Sequence, residues 1–269
     1  MAKLYGDSAR QTELLTGHLH TLFDSWAPDP PWWYLRFRDP DHHIRLRITL
    51  KSPATFSDAA QRVSRWATDL HHAGLLREVV YATSYPETGR WGSGLAMQAA
   101  EAVFGHDSRA VIAQLSTGLG TQPEWPHWQA LVAAQSVAIV SAFTGSVHNG
   151  IRWLIEQIPP RSPAKPPRAL LDETVRICNP DHDWEALSAL TGGQEVIEAW
   201  QQRTVALAAY RTNFPGLHTE GINVNDVLGS LLHANFVRSV GIDFDQEAMC
   251  LYLARSAAMA YQARSRRSR

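Results

Sequence analysis

Cysteine is nearly absent. Two thiols in 269 residues, Cys178 and Cys250, are too few for a disulfide framework or a thiolate metal cage, so redox chemistry is not expected. No charge of one sign dominates either: Lys plus Arg is 25 against Asp plus Glu 26, a formal net charge of -1. That balance gives no global case for non-specific nucleic-acid binding, no direct nucleic-acid partner is expected, and any anion site must be local. Long apolar runs are missing as well. The least charged stretch, Gln129 to Phe143, is interrupted by Gln and Ser and falls short of the roughly 18 apolar residues of a membrane-spanning helix. Met1 to Asp7 holds no apolar segment of signal-peptide type, so the expectation is a cytoplasmic protein without a membrane partner. Repeats of 20 to 50 residues are lacking, which sets aside solenoids and propellers. Neither the Walker pattern nor the dinucleotide spacing of glycines occurs, so ATP and NAD are unsupported and no cofactor is expected.

With 45% hydrophobic and 19% charged residues the chain has the composition of a folded protein. Up to about Tyr85, helical and extended segments alternate. Ser8 to Trp26 spaces Leu15, Leu19, Leu22, Phe23 and Trp26 in helical fashion behind a Ser8 cap, and Pro28 to Pro31 stops it. Trp32 to Arg38 and Ile44 to Leu50 alternate apolar residues with Arg and flank Asp39 to His43, as a hairpin or neighbouring strands do. Pro53 to His72 reads as a helix closed by Gly74, and Leu76 to Ala82 as a strand. Beyond Gly92 the Ala-, Leu- and Val-rich segments (Leu95 to Phe104, Ser108 to Leu115, Pro126 to Phe143) predict helices. The fold expected is α+β, with a small, mainly antiparallel sheet in the N-terminal third and a largely helical remainder. Five prolines between Ile158 and Arg168 predict a mobile loop within a single domain spanning 1–269. The last seven residues, with four Arg, read as a frayed solvated tail.

Three constellations could carry chemistry. In a strand, residues two apart share a face, so Arg45 and Arg47 project together while Ile44, Leu46 and Ile48 face the other way. Paired guanidinium groups suit a carboxylate substrate, and Arg36 and Arg38 lie within the same twelve residues. Alternation alone favours a solvated face balanced by Asp39 and Asp41. His42 and His43 point to opposite faces, and no spaced ligand pair completes a metal site, so no metal is expected. The second constellation is the Gly-rich loop Tyr85 to Gly94 before a helix, where Arg90 is suited to bind a carboxylate. The third is the helix Asn223 to Val240. Val224, Leu228, Leu231 and Ala234 form its apolar stripe, with Asp226, Ser230 and His233 on another face. His233 there is a reasonable general acid or base. Arg238 falls on the apolar stripe, so it snorkels or sits in a buried ion pair. Phe244, Ala248, Leu251, Ala254, Ala258 and Tyr261 read as the packing face of a final helix.

Taken in order, these features resemble the C-terminal, glutamate-eliminating domain of class I lanthipeptide dehydratases, also found free-standing in thiopeptide-type bacteriocin biosynthesis. The resemblance spans nearly the whole chain. It rests on Leu4-Tyr-Gly6, on Asp39-Pro-Asp-His-His-Ile-Arg-Leu-Arg47 against the family's Asp-Pro-x-x-His-Leu-Arg-x-Arg, and on Glu87-Thr-Gly-Arg-Trp-Gly92 against Glu-x-x-Arg-Tyr-Gly. Phe104-Gly-His-Asp-Ser108, Ser230-Leu-Leu-His233, Arg238 and Gly241-Ile-Asp243 complete it. The resemblance implies removal of glutamate from glutamylated Ser or Thr of a precursor peptide, leader and core, to leave dehydroalanine or dehydrobutyrine. It implies that Arg45, Arg47 and Arg90 orient the glutamyl group, with Arg38 also in contact, that His233 transfers the proton and that Arg238 supports the anion. Arg45, Arg47, Arg90 and His233 are then expected to line one cleft. The large tRNA-dependent glutamylating domain of the family is not in this sequence, so a separate protein is expected to supply the activated peptide. Where the family often reads His-Met-His-x-Asn-Arg, this chain has His233-Ala-Asn-Phe-Val-Arg238. That departure keeps open a related branch that joins two dehydroalanines into a pyridine ring and expels the leader. A non-catalytic peptide-binding scaffold is the third reading.

Overall fold

The structure, a computed structural model, describes residues 1–24, 26–117, 125–162, 164–180, 184–214 and 221–267. The backbone forms two compact units: Met1–Pro86 with Val237–Ile242, and Glu87–Phe236 with Asp243–Arg269.

The first unit is built on a four-stranded antiparallel sheet of order β2-β3-β1-β4, with β1 Ala2–Tyr5, β2 Trp32–Arg38, β3 His42–Ile48 and β4 Glu78–Tyr81. The small antiparallel sheet and helical remainder agree with the expected α+β class. Leu4, Tyr34, Ile44 and Leu46 share one face and are almost fully buried. Each such side chain contributes roughly 1.5–3 kcal/mol relative to exposure. β1 escapes sequence reading because its four residues bury Ala2, Leu4 and Tyr5 without clean alternation. β3 begins two residues before the predicted Ile44, since His42 and His43 pair with Arg38 and Phe37.

Residues 8–23 are helical but not one regular helix: a 3-10 turn Ser8–Arg10, α1 Gln11–Glu13, a π-helical turn Leu14–His18 and α2 Leu19–Phe23 follow one another. The cap is Asp7 rather than Ser8, its carboxylate accepting the Ala9 N–H at 3.0 Å. α3 Phe56–His72 buries Ala59, Val63, Trp66, Ala67 and Leu70 at helical spacing. It ends in a Schellman motif: the Leu75 N–H donates to Leu70 O and the Gly74 N–H to His71 O, with Gly74 at φ +70°.

The second unit is helical: α4 Thr88–Trp91, α5 Leu95–Ser116, α6 Trp128–Thr144, α7 Val147–Gln157, α8 Arg168–Ile177, α9 Glu185–Ser188, α10 Gly193–Arg211, α11 Val224–Ser239 and α12 Phe244–Arg267. The last three residues of α11 count with the first unit. The separate segments predicted over 95–115 are one helix, because Gly105, His106 and Asp107 continue it. α6 is apolar around nearly its whole circumference and sits at the centre, with α7, α8, α10 and α12 packed on it. α7 turns back on α6 at 116°, and a Cβ on Gly150 would stand 2.7 Å from the Ser141 backbone, so only glycine admits this approach. Between α7 and α8 the described residues form neither helix nor strand, as the prolines require.

Two expectations for the C-terminus are corrected. The Arg-rich end is not a frayed tail over its described part, since α12 runs unbroken to Arg267. Phe244 is no packing residue: it is 72% exposed, and the buried stripe of α12 runs through Cys250, Leu253, Ala254, Ala257 and Ala258. On α11 the stripe is likewise rotated from Val224 and Ala234 to Val227, Leu228, Leu231, Leu232, Asn235 and Phe236. Among the described residues no single helix is long and apolar enough to cross a membrane.

Candidate active site

The first unit presents Lys3, Arg45 and Arg47 on the sheet face opposite Leu4 and Ile44. Register places Lys3, Leu35 and Arg45 side by side, with Tyr5, Phe37 and His43 in the next row. The Arg45 guanidinium lies 3.3 Å from the centre of the Phe37 ring, its Nε donates to His43 Nε2 at 3.2 Å, and its Nη2 is 3.9 Å from an Asp39 carboxylate oxygen. His43 is wholly buried, and its Nδ1 bonds the Asp41 carbonyl at 2.9 Å. A carbonyl only accepts, so the His43 proton is on Nδ1, and Nε2 is left to receive the Arg45 hydrogen. Burial first, then the charges of Arg45 and Lys3, hold the His43 pKa below its usual value against the Asp41 hydrogen bond and Asp39. Arg47, one row further, donates from Nε to Ser84 Oγ at 3.0 Å.

The two arginines of β2 lie on the other face, with Tyr34, and differ in exposure. Arg38 is exposed at the strand end, whereas Arg36 shares the buried face with Tyr34. Arg36 Nε and Tyr34 Oη both donate to the Arg238 carbonyl, at 3.0 and 3.3 Å, so two buried donors close the last turn of α11. The Arg238 side chain is 2% exposed, which overturns the snorkelling alternative, since a snorkelling head group reaches water.

In the second unit Arg90 stands on α4, four residues before the predicted helix start, with its own carboxylate neighbour Glu87 at 3.2 Å. It is half exposed, and such an ion pair is weak enough for a substrate carboxylate to replace. The turn beneath it is anchored: the buried Trp91 ring meets Phe104 edge-on at 4.8 Å, and Tyr210 Oη donates to the Trp91 carbonyl at 2.7 Å. On α11, His233 Nδ1 lies 3.0 and 2.9 Å from the two carboxylate oxygens of Glu247, in the first turn of α12. Phe244 stacks parallel to the imidazole at 6.4 Å. A carboxylate only accepts, so Glu247 holds a proton on Nδ1 and leaves Nε2 as the imidazole's accepting nitrogen, on a side chain that is 42% exposed.

Below this surface lies a buried network. Arg203 Nη1 donates to Asp107 Oδ1 and Gln135 Oε1, both at 2.8 Å, and Asn235 Nδ2 donates to the same two oxygens at 2.8 and 2.9 Å. All four residues are at most 3% exposed.

Of the residues singled out from sequence, Arg38, Arg45 and Arg47 belong to the first unit, as does Arg238, and Arg90 and His233 to the second. The structure adds His43 and Glu247, which touch Arg45 and His233. The first had a usable signal, standing two residues before Arg45 on the same strand face; the second did not, being fourteen residues from His233 on another helix.

Residues 1–258 match the family model "Lantibiotic biosynthesis dehydratase C-term". The chain belongs to this family. It is 26% identical over 259 residues to the subtilin biosynthesis protein SpaB of Bacillus subtilis, an alignment covering 94% of this chain and 25% of SpaB. Among solved structures it superposes on the tRNA dependent lantibiotic dehydratase MibB from Microbispora sp. 107891 with a TM-score of 0.84 at 19% identity, covering 98% of this chain and 28% of MibB. The chain spans about a quarter of the length of either relative. The MibB likeness establishes the fold.

Proposed function

We propose that the chain is a lyase that eliminates glutamate from glutamylated Ser or Thr side chains of a ribosomally made precursor peptide. The observation that carries this reading is the His233–Glu247 pair, an acid-base group held in one tautomer. In the proposed reaction His233 Nε2 takes the α-proton of the glutamylated residue. The electron pair left on Cα becomes the Cα–Cβ double bond as the Cβ–O bond breaks, and the ester oxygen leaves with its electrons as a glutamate carboxylate. Negative charge builds on the adjacent peptide carbonyl during proton removal, and fixed cationic donors lower the barrier there. Arg45, Arg47 and Arg90 are assigned to the glutamyl group, because a guanidinium offers paired donors to a carboxylate. Arg38, at the exposed end of β2, is assigned to the peptide. Arg238 is assigned a supporting role from its buried position. The glutamylated peptide is taken to come from tRNA-dependent chemistry outside these residues.

A catalytically silent scaffold has no use for an oriented imidazole. The departure at His233 to Arg238 keeps the pyridine-forming reading as the alternative outcome of one experiment. Pure protein is incubated with a glutamylated peptide and, separately, with a peptide already carrying two dehydroalanines, and intact masses are read. Loss of glutamate with the leader retained supports the eliminase. Loss of leader from the second substrate alone overturns it, and no mass change in either points to the scaffold.

A further inference from the structure

Carboxylate recognition by Arg45 depends on how its fork is aimed, and a lone arginine side chain has ample rotamer freedom to lose. On β3 that freedom is removed from two sides. The Arg45 guanidinium carbon lies over the Phe37 ring, 3.3 Å from its centroid, and the Nε–H is tied to His43 Nε2 at 3.2 Å. With the Nε edge so fixed, the terminal nitrogens are the end that meets a carboxylate, and Asp39 at 3.9 Å from Nη2 already marks that end. His43 accepts only because its proton is on Nδ1, where the Asp41 carbonyl holds it, and its ring is packed by Tyr5 at 4.6 Å and Phe37 at 5.7 Å.

We propose that His43 is a positioning residue which, as the neutral Nδ1–H tautomer, aims Arg45 at the carboxylate of the substrate. The inference rests on the eliminase reading for the identity of that carboxylate. Protonation of His43 would place an N–H against the Arg45 N–H and a second positive charge beside the guanidinium. The groups facing His43 decide when that happens. Arg45 on its own strand and Lys3 on β1 oppose the charge; the Asp41 carbonyl and the Asp39 carboxylate in the β2–β3 turn favour it; Tyr5, with Glu78 opposite it on β4, completes the surround. Burial outweighs the favourable partners and keeps the ring neutral near pH 7.

The linkage has a definite sign. A histidine whose folded pKa lies below its unfolded value contributes stability fully above about pH 6.5, and that contribution is lost as pH falls towards the folded value. Aim of Arg45 is lost further into acid, as His43 of the folded protein protonates through its own lowered pKa.

The test compares wild type, His43→Leu and His43→Gln on a glutamylated peptide as a function of pH. The Gln amide oxygen accepts where Nε2 did and does not titrate in this range. His43→Leu is expected to raise KM roughly tenfold or more with kcat changed far less, as loss of one hydrogen bond to a charged group implies. His43→Gln is expected to recover most of that loss and to lack the acid rise in KM expected of wild type. An unchanged KM in His43→Leu, or a Gln variant no better than Leu, overturns the inference. Should His43→Leu fail to fold, the Gln profile and the 15N spectrum of labelled histidine in the wild type still decide, since a proton found on His43 Nε2 at pH 7 is equally fatal. Calorimetric titration separates the two claims: a wild type that binds glutamylated peptide without eliminating glutamate removes the reaction reading, and one that binds no glutamylated peptide removes this inference.

Discussion

Both carboxylate oxygens of Glu247 lie within 3.0 Å of Nδ1 of His233. A carboxylate shared in this way fixes the ring about its long axis and leaves a single nitrogen for chemistry. If His233 is the base, its replacement by Ala should slow elimination by roughly two to four powers of ten, the ordinary contribution of a positioned acid or base. Glu247→Gln should slow it less, by roughly ten- to a hundredfold, because the imidazole stays but its orienting charge is gone. Single-turnover kinetics on a glutamylated peptide measure both.

Arg90→Lys keeps the charge on α4 but replaces the planar fork with a point cation, which cannot give two parallel hydrogen bonds to a carboxylate. Glutamylated peptide should accumulate in that variant, visible by mass. Turnover equal to wild type would reassign Arg90 to its exposed pair with Glu87.

The Arg203–Asp107 pair is buried in the second unit at 2.8 Å with side chains at most 5% exposed. Asp107→Ala leaves a buried guanidinium without its carboxylate and should destabilise the fold by about 3–5 kcal/mol. Denaturant unfolding should show this as a lower midpoint with the slope preserved.

Gly150→Ala should destabilise by about 1–3 kcal/mol, since the new methyl group meets the Ser141 backbone rather than a movable side chain. Gly89→Ala, where nothing lies within 4 Å of the added carbon, is the control, and thermal melting of both variants checks the difference.

Much of the fold was readable because period and punctuation agree. Trp32 to Arg38 alternates cleanly and is a strand over those seven residues; the Leu70 to Gly74 segment ends a helix as its sequence indicates. Errors came where length or distance hides the signal. β1 is four residues long and buries Ala2, Leu4 and Tyr5 without clean alternation, and the exposed Phe244 sits at a position that helical spacing alone assigns to packing. The alternation placing Arg45 and Arg47 on one face is legible, but nothing in the spacing alone shows that His43 accepts from its i+2 neighbour, because that depends on the Asp41 carbonyl holding its Nδ1 proton. The four-residue network of Asp107, Gln135, Arg203 and Asn235 draws on four helices up to 128 residues apart, and no local pattern announces it.

The sheet's grip on the Arg238 carbonyl, through Arg36 and Tyr34, also bears on how the chain is made. Residues 237–242 are part of the N-terminal unit although more than half of the sequence separates them from Pro86. During synthesis that unit waits, after Pro86, for a further 150 residues before all its parts exist. A fragment cut after residue 86 would leave buried donors on β2 facing no acceptor, so the two units are not separable by a single cleavage and cannot be exchanged between relatives as linear cassettes.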